Sequence, residues 1–166
     1  MQFDAIYTTY EKRIYGFLVR LSGRRDVADD LFQETWLRLA RHAPTLSEDT
    51  DIAAWLFTVA RNLYRSHVRW SIADRLRRRD VVEAVTSTTP EIDHAWRERW
   101  QKLETALGEL PVAHREILLL VGVEAMEPQL AAQVLGISAA AARQRLSRAR
   151  AALAYALGEE GTPWKI

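Results

Sequence analysis

The sequence predicts an all-α protein made of two small helical bundles joined by a linker, and three observations support this fold. Apolar residues recur at intervals of three and four along most of the 166-residue chain, which is the spacing of a buried helix face. No stretch shows the strict alternation of a half-buried strand. The helical spacing fades mid-chain, where residues 80–95 carry four acids and no Lys or Arg.

The predicted domain boundaries lie where this spacing stops and resumes. The first bundle is predicted over residues 1–70 and the second over residues 96–158. The linker between them, residues 71–95, contains the Ser/Thr/Pro-rich segment "VTSTTPEIDH", and residues 159–166 form a tail. Because 48% of the residues are hydrophobic, the chain can bury a core.

The first bundle is predicted to hold three helices. An apolar stripe over residues 3–21 indicates the first. Asp26 is expected to cap the second, which ends before Pro44. The acids of the polar loop 45–51 suit the start of the third helix, which is predicted over about residues 52–70.

The second bundle ends in the pattern of a helix-turn-helix. Its apolar stripe begins near Trp96, and Pro111 and Pro128 each open a short helix. Gly136 suits the left-handed turn that lets the chain reverse, and Ser138 supplies an N-cap hydroxyl for the last helix.

That last helix is strongly basic. Residues 138–157 hold four arginines, at 143, 145, 148 and 150, and no acid. An ordinary surface helix usually includes Glu four residues from a cation, so the missing acids favour an anionic partner. Arginine can bond guanine or phosphate, and glutamine can bond adenine. The pattern therefore predicts DNA binding.

The third helix carries a second basic surface beside aromatic residues. Arg61, Arg65 and Arg69 are spaced four apart, with Asn62 alongside. Aromatic residues at 55, 57 and 64 flank the apolar face. Single-stranded nucleic acid needs this combination of charge and stacking surfaces. For Trp55 and Phe57, core packing and base contact are equally compatible with the pattern.

The second helix is different, because it is acidic and exposes apolar positions. The segment "DVADDLFQETWLRL" presents Asp29, Asp30, Gln33, Glu34, Leu37 and Arg38. Asp30 and Glu34 have metal-ligand spacing, but few ligand-type residues converge on them. We therefore expect no metal site and favour a protein partner with a basic groove.

Composition excludes several classes of function. The chain has no cysteine, no Gly-rich phosphate loop and only four scattered histidines, so neither an enzyme nor a cofactor is expected. The N-terminus lacks signal-peptide features, and the longest apolar run, residues 117–123, is too short to span a bilayer. We expect a soluble, cytoplasmic protein without membrane insertion.

These pieces, in this order, resemble the extracytoplasmic-function (ECF) sigma factors of the sigma-70 family. "DVADDLFQETWLRLARH" and "AWLFTVARNLYRSHVR" resemble the core-binding and promoter −10 segments of sigma region 2. "ALGELPVAHREILLL" and "AAQVLGISAAAARQRLSRARAAL" resemble region 4. The likeness covers about residues 3–155. Where the family usually has Gly-Leu-Ser-Tyr before the helix-turn-helix, this chain has "AMEPQLAA", which places Glu127 at the N-cap.

The resemblance implies an RNA polymerase sigma factor that directs promoter-specific initiation. The implied partners are promoter DNA, the β′ clamp helices and β flap of core polymerase, and an anti-sigma factor. The residues implied in core binding are Asp29, Asp30, Leu31, Gln33, Glu34 and Leu37. Those implied in −10 recognition and strand opening are Trp55, Arg61, Asn62, Arg65 and Arg69. Those implied in −35 recognition are Ser138, Arg143, Gln144, Arg145, Ser147 and Arg148.

Two alternatives have a different function. A sigma-like mimic would titrate an anti-sigma factor without binding promoters, but the chain keeps its arginines. A plain helix-turn-helix repressor would leave the first bundle without a role.

Overall fold

The computed structural model describes residues 3–78 and 94–158, with side chains in 3–73 and 98–158. Over these residues it confirms the all-α prediction and contains no strand. The helices are α1 (Phe3–Ser22), α2 (Arg25–His42), α3 (Ile52–Arg78), α4 (His94–Glu109), α5 (Val112–Leu118), α6 (Pro128–Leu135) and α7 (Ala139–Ala156). A 3-10 turn spans Ala43–Thr45, and a π-helical segment spans Leu119–Val123. The chain divides into two compact units, Met1–Ser87 and Thr88–Ile166.

The first unit is a three-helix bundle in which α1, α2 and α3 pack against one another. The ring of Phe17 meets that of Phe57 edge to face, with centroids 5.2 Å apart. An edge-to-face pair of buried rings contributes about 0.5–1.5 kcal/mol beyond the burial of its apolar surface. The other fully buried large residues of this core are Ile14, Leu18, Leu21, Leu39 and Leu56.

The start of α2 differs from the prediction. Arg24, not Asp26, occupies the N-cap position, and the helix begins at Arg25. Asp26 lies in the first turn, where its carboxylate bonds the Arg24 guanidinium and still faces the positive end of the helix dipole. That hydrogen bond lowers the pKa of Asp26 below its usual value. The prediction that Asp26 caps α2 is wrong because an acid suits the first turn as well as the cap.

The third helix is longer than predicted. It continues from Ile52 to Arg78, and α4 already begins at His94, so the predicted linker 71–95 has helical residues at both ends. Arginine and leucine are good helix formers, and no proline occurs between residue 52 and residue 90. Residues 79–93 of this linker and the tail at 159–166 lie outside the described residues. As predicted, an acid of the preceding loop caps α3: Asp51 accepts the Ala54 N–H at 2.9 Å.

In the second unit, α7 packs against α4, α5 and α6. A buried cation ties α5 to the end of α4, since Arg115 donates to the carbonyls of Gly108 and Leu110 at 3.0 and 3.1 Å. The Gly108 carbonyl lies in the last turn of α4 and the Leu110 carbonyl just beyond it, where a helix leaves its acceptors unpaired. A side chain of α5 therefore donates the hydrogen bonds that the carbonyl groups at the end of α4 would otherwise lack.

The segment leading into α6 confirms the prediction that Glu127 occupies the N-cap position. Glu127 is the N-cap of α6, and its side chain makes no capping hydrogen bond within the described part of the chain. Just before it, Ala125 adopts a φ of 51°, a left-handed conformation that costs a residue with a Cβ about 1–3 kcal/mol. Backbone hydrogen bonds from Glu124 to Leu119 and from Met126 to Leu120, both 2.9 Å, hold this turn.

Replacing Ala125 with glycine is expected to raise the free energy of unfolding of the second unit by about 0.5–1 kcal/mol. Glycine removes the left-handed strain, which outweighs its larger loss of backbone entropy on folding. Hydrogen exchange of α5–α7 amides in the full chain measures the change. The matched control is Ala140→Gly in α7, which should lower stability by about 0.5–1 kcal/mol. Equal losses in both variants would contradict the strain at residue 125.

Candidate nucleic-acid and polymerase interfaces

The turn between α6 and α7 has the geometry expected of a helix-turn-helix. Gly136 takes a φ of 64°, and the N–H groups of Gly136 and Ile137 bond the carbonyls of Gln133 and Ala132 at 3.1 and 3.0 Å. This double hydrogen bond closes a helix and reverses the chain. Ser138 then caps α7, since its hydroxyl accepts the Ala141 N–H at 3.1 Å. Both predictions for this turn are confirmed.

The two faces of α7 are sharply different in chemistry. Its inner face buries Ala142, Leu146, Ala149 and Leu153, which recur at intervals of three and four. Its outer face exposes Arg143, Gln144, Ser147 and Arg148. The remaining arginines, Arg145 and Arg150, are half-buried on the flanks. The outer face therefore presents two guanidinium groups, an amide and a hydroxyl to solvent.

The basic residues of α3 lie on its solvent side. Asn62 and Arg69 are exposed, and Arg61 and Arg65 are half-buried. Hydrogen bonds orient two of the guanidinium groups: Arg61 donates to Asn62 at 3.2 Å and Arg69 to Ser66 at 3.1 Å. Arg61, Asn62, Arg65 and Arg69 therefore form one continuous polar and cationic ridge on α3.

The aromatic residues of α3 separate into core and surface. Phe57 and Tyr64 are buried, so both belong to the core. Trp55 is half-buried, with its ring centroid 6.0 Å from that of His42 at the end of α2. Trp55 and Asn62 are seven residues apart, which places them on the same face two turns apart. Only Trp55 of these three aromatic residues is accessible beside the ridge.

On α2, the predicted core-binding residues form an exposed surface with one exception. Asp29, Asp30 and Gln33 are exposed, and Glu34 is half-buried. Leu37 retains 50% of its accessible area despite being apolar. Leu31 instead lies in the core at 7% exposure. The assignment of Leu31 to this surface is wrong, because its position on the helix faces the packed side of the bundle.

Two side chains hold the acids of this surface in place. The Tyr15 hydroxyl of α1 donates to the Asp29 carboxylate at 2.9 Å, and Arg38 donates to Glu34 at 2.9 Å. The first of these hydrogen bonds raises the pKa of Tyr15 above its ordinary value. Sequence reasoning missed Tyr15, since it lies 14 residues before its partner and no local pattern links them.

The described residues show neither a metal centre nor a membrane span. No three His, Asp or Glu side chains in 3–73 and 98–158 gather closely enough to hold an ion. Among the described helices, none is both long and apolar enough to cross a bilayer.

Comparison with known proteins matches both units. The Sigma-70 region 2 family model matches residues 6–80, and the Sigma-70 region 4 model matches residues 100–153. The ECF RNA polymerase sigma factor EcfG of Rhodopseudomonas palustris is 34% identical over 152 residues, which cover 87% of this chain and 79% of EcfG. The ECF RNA polymerase sigma factor SigM of Bacillus subtilis is 30% identical over 155 residues, 90% of this chain and 91% of SigM.

A solved structure agrees with these sequence relationships. The sigma factor RpoE, in complex with the anti-sigma factor NepR from Bartonella quintana, superposes with a TM-score of 0.84 at 25% identity. The superposition covers 95% of this chain and 98% of RpoE. Family models and relatives thus agree over both helical units. The chain belongs to the ECF group of RNA polymerase sigma factors in the sigma-70 family.

Proposed function

We propose that this sigma factor binds core RNA polymerase through α2, contacts an opened −10 strand through α3 and recognises the −35 element through α7. The observation that carries the proposal is the outer face of α7, where exposed guanidinium and amide groups stand on a helix without a single acid. Such a face fits the major groove, in which arginine and glutamine bond the edges of guanine and adenine.

The packing of α7 supports a close approach to DNA. Ala142 and Ala149 are fully buried against the neighbouring helices, while Ala140 and Ala151 lie on the exposed face. Short side chains at these exposed positions leave no bulk between the helix and a groove. In helix-turn-helix proteins the N-terminal part of the second helix contacts the bases, and Arg143 and Gln144 lie in the early turns of α7.

The ridge on α3 supports contact with a single strand. Its guanidinium groups can neutralise phosphates, and Trp55 offers a ring beside them. The Asn62 amide can bond the edge of an unpaired base. With Phe57 in the core, Trp55, Arg61, Asn62, Arg65 and Arg69 remain the proposed −10 contacts.

The acidic surface of α2 supports a protein partner of opposite charge. Its acids lie on the turns before the exposed Leu37, and an apolar residue with charged groups around it is the usual anatomy of an interface. We propose the β′ clamp helices as this partner, the β flap as a partner of the second unit, and an anti-sigma factor that competes with polymerase. The protein then works in the cytoplasm and performs no chemistry itself.

In vitro transcription with core polymerase tests the proposal. The full chain is added to core enzyme on genomic templates, and the transcripts are sequenced. Transcripts with common start sites that depend on the added chain would support it. Core binding without any promoter-specific transcript would overturn it and would favour the sigma-like mimic.

Replacing Leu37 with alanine is expected to weaken core binding by about fivefold, because about half of a leucine side chain, worth about 1 kcal/mol, would no longer be buried. Titration of labelled full-length variant with core polymerase measures the affinity. Lys12→Ala, an exposed change on α1, is the control and should leave the affinity unchanged. Equal affinities for Leu37→Ala and wild type would remove α2 from the polymerase interface.

A further inference from the structure

Trp70 is an unusually exposed tryptophan. It retains 74% of its accessible area, although tryptophan is highly buried on average. It lies on α3 immediately after Arg69 of the basic ridge. Neither sequence spacing nor the proposed −10 set accounts for it.

The surroundings of Trp70 leave its ring open. Of its neighbours one turn away on the helix, Ser66 and Ala73 have small side chains, and the other two are His67 and Asp74. A long side chain on a helix leans back over the preceding turn. For Trp70 that turn contains Ser66 and His67, so we expect the indole to lean toward these two residues.

A cation is held at the same place. The Arg69 guanidinium donates to the Ser66 hydroxyl at 3.1 Å, which holds it within the turn over which Trp70 leans. No acid occurs from residue 52 to residue 73, whereas three arginines do. Trp70 therefore follows a stretch of α3 that holds three arginines and no acid, and the first acid after this stretch is Asp74, four residues beyond Trp70.

We propose that Trp70 is a further DNA contact, on which an unpaired base of the opened strand stacks while Arg69 binds an adjacent phosphate. This inference rests on the proposed role of α3 and extends it toward the C-terminal end of the helix. Trp70 lies 15 residues after Trp55, about 22 Å along the axis at 1.5 Å per residue. The two tryptophans would thus contact the strand at two separate points.

Charge favours a single strand over a protein at this position. The surface of α2 carries three acids on the turns before Leu37 and suits a basic protein surface, whereas the turns of α3 before Trp70 carry three arginines and no acid. Aromatic rings with interleaved cations bind single strands because every base has a face that can stack. Bases inside a duplex are already stacked and cannot use the ring.

Strand binding by the full chain assembled with core polymerase tests this inference. The probes are a fluorescent single-stranded oligonucleotide carrying the non-template −10 region of a promoter mapped by transcription, and a blunt duplex of the same sequence. Trp70→Ala is expected to weaken single-strand binding about 5- to 150-fold, the range that corresponds to about 1–3 kcal/mol for one stacked base. Trp70→Phe should stay within about threefold of wild type, because a ring remains.

Two controls separate base stacking from a general loss of apolar surface and from damage to polymerase binding. Ile72→Ala removes another exposed apolar side chain of α3, at 52% exposure, and should leave strand binding unchanged. Affinity for core polymerase and for the duplex should be the same in all variants. If Trp70→Ala binds the strand like wild type, or if it lowers the affinity for core polymerase, the stacking role is overturned. If the wild-type holoenzyme itself fails to bind the strand, the proposed role of α3 fails as well.

Discussion

Replacing Phe57 with alanine is expected to lower the free energy of unfolding of the first unit by about 3–5 kcal/mol. Phe57 is fully buried, with its ring against Phe17 and the Arg13 guanidinium carbon 5.7 Å from its centroid. Alanine leaves a cavity among three helices that cannot all close around it. Because a domain of this size is stable by about 5–15 kcal/mol, the loss is a large share of the total.

Native-state hydrogen exchange on the full chain measures this loss unit by unit. Amides of α1, α2 and α3 should lose protection, while amides of α5 to α7 should not. Leu37→Ala is the matched control, since an exposed leucine on the same unit should change stability by no more than about 0.5 kcal/mol. Weakened DNA binding at unchanged stability would instead make Phe57 a base contact.

Replacing Arg143 or Arg148 with alanine is expected to cost about 1–3 kcal/mol of holoenzyme binding at particular −35 base pairs. Both guanidinium groups are on the exposed face of α7. A bidentate arginine discriminates guanine from other bases, so its removal should weaken the native site and relax specificity at one position. Binding to a panel of promoters, each with one substituted base pair, measures this.

Arg150→Ala is the matched control for charge. Arg150 is half-buried on the flank of α7 and lies outside the proposed recognition set. Its loss should weaken all promoters alike and, if one phosphate contact disappears, reduce the log–log salt slope by about 0.9. If Arg143→Ala and Arg148→Ala behave in the same way as Arg150→Ala, these arginines bind phosphates and do not recognise bases.

Much of the second unit could be predicted from local pattern. Gly136 and Ser138 both have the predicted roles, and α7 buries a stripe with the helical spacing that the chain shows elsewhere. These features depend on contacts within a few residues: a left-handed turn, a hydroxyl cap and a stripe with helical spacing. The strained φ of Ala125 had no comparable signal, because alanine is ordinarily a helix former.

The first unit was harder to predict at the level of single residues. Phe57 and Trp55 are two positions apart, and for both residues the sequence pattern was equally compatible with core packing and with base contact. Leu31 was assigned to a surface but is buried, whereas Trp70 went unassigned and is exposed. A residue at the edge of an apolar stripe is covered or open according to how the neighbouring helices cross it, and the spacing of one helix carries no information about its neighbours.

The amino-acid sequence alone was sufficient for the fold class, the helix-turn-helix and the family. Each follows from periodicity, turn residues and motif order, which are short-range properties of the chain. Three-dimensional packing was needed to show that Phe57 is core, that Tyr15 holds Asp29 and that Trp70 stands open beside Arg69. The physical reason is that burial and hydrogen bonding at these positions depend on residues from other helices or on where the bundle ends along α3.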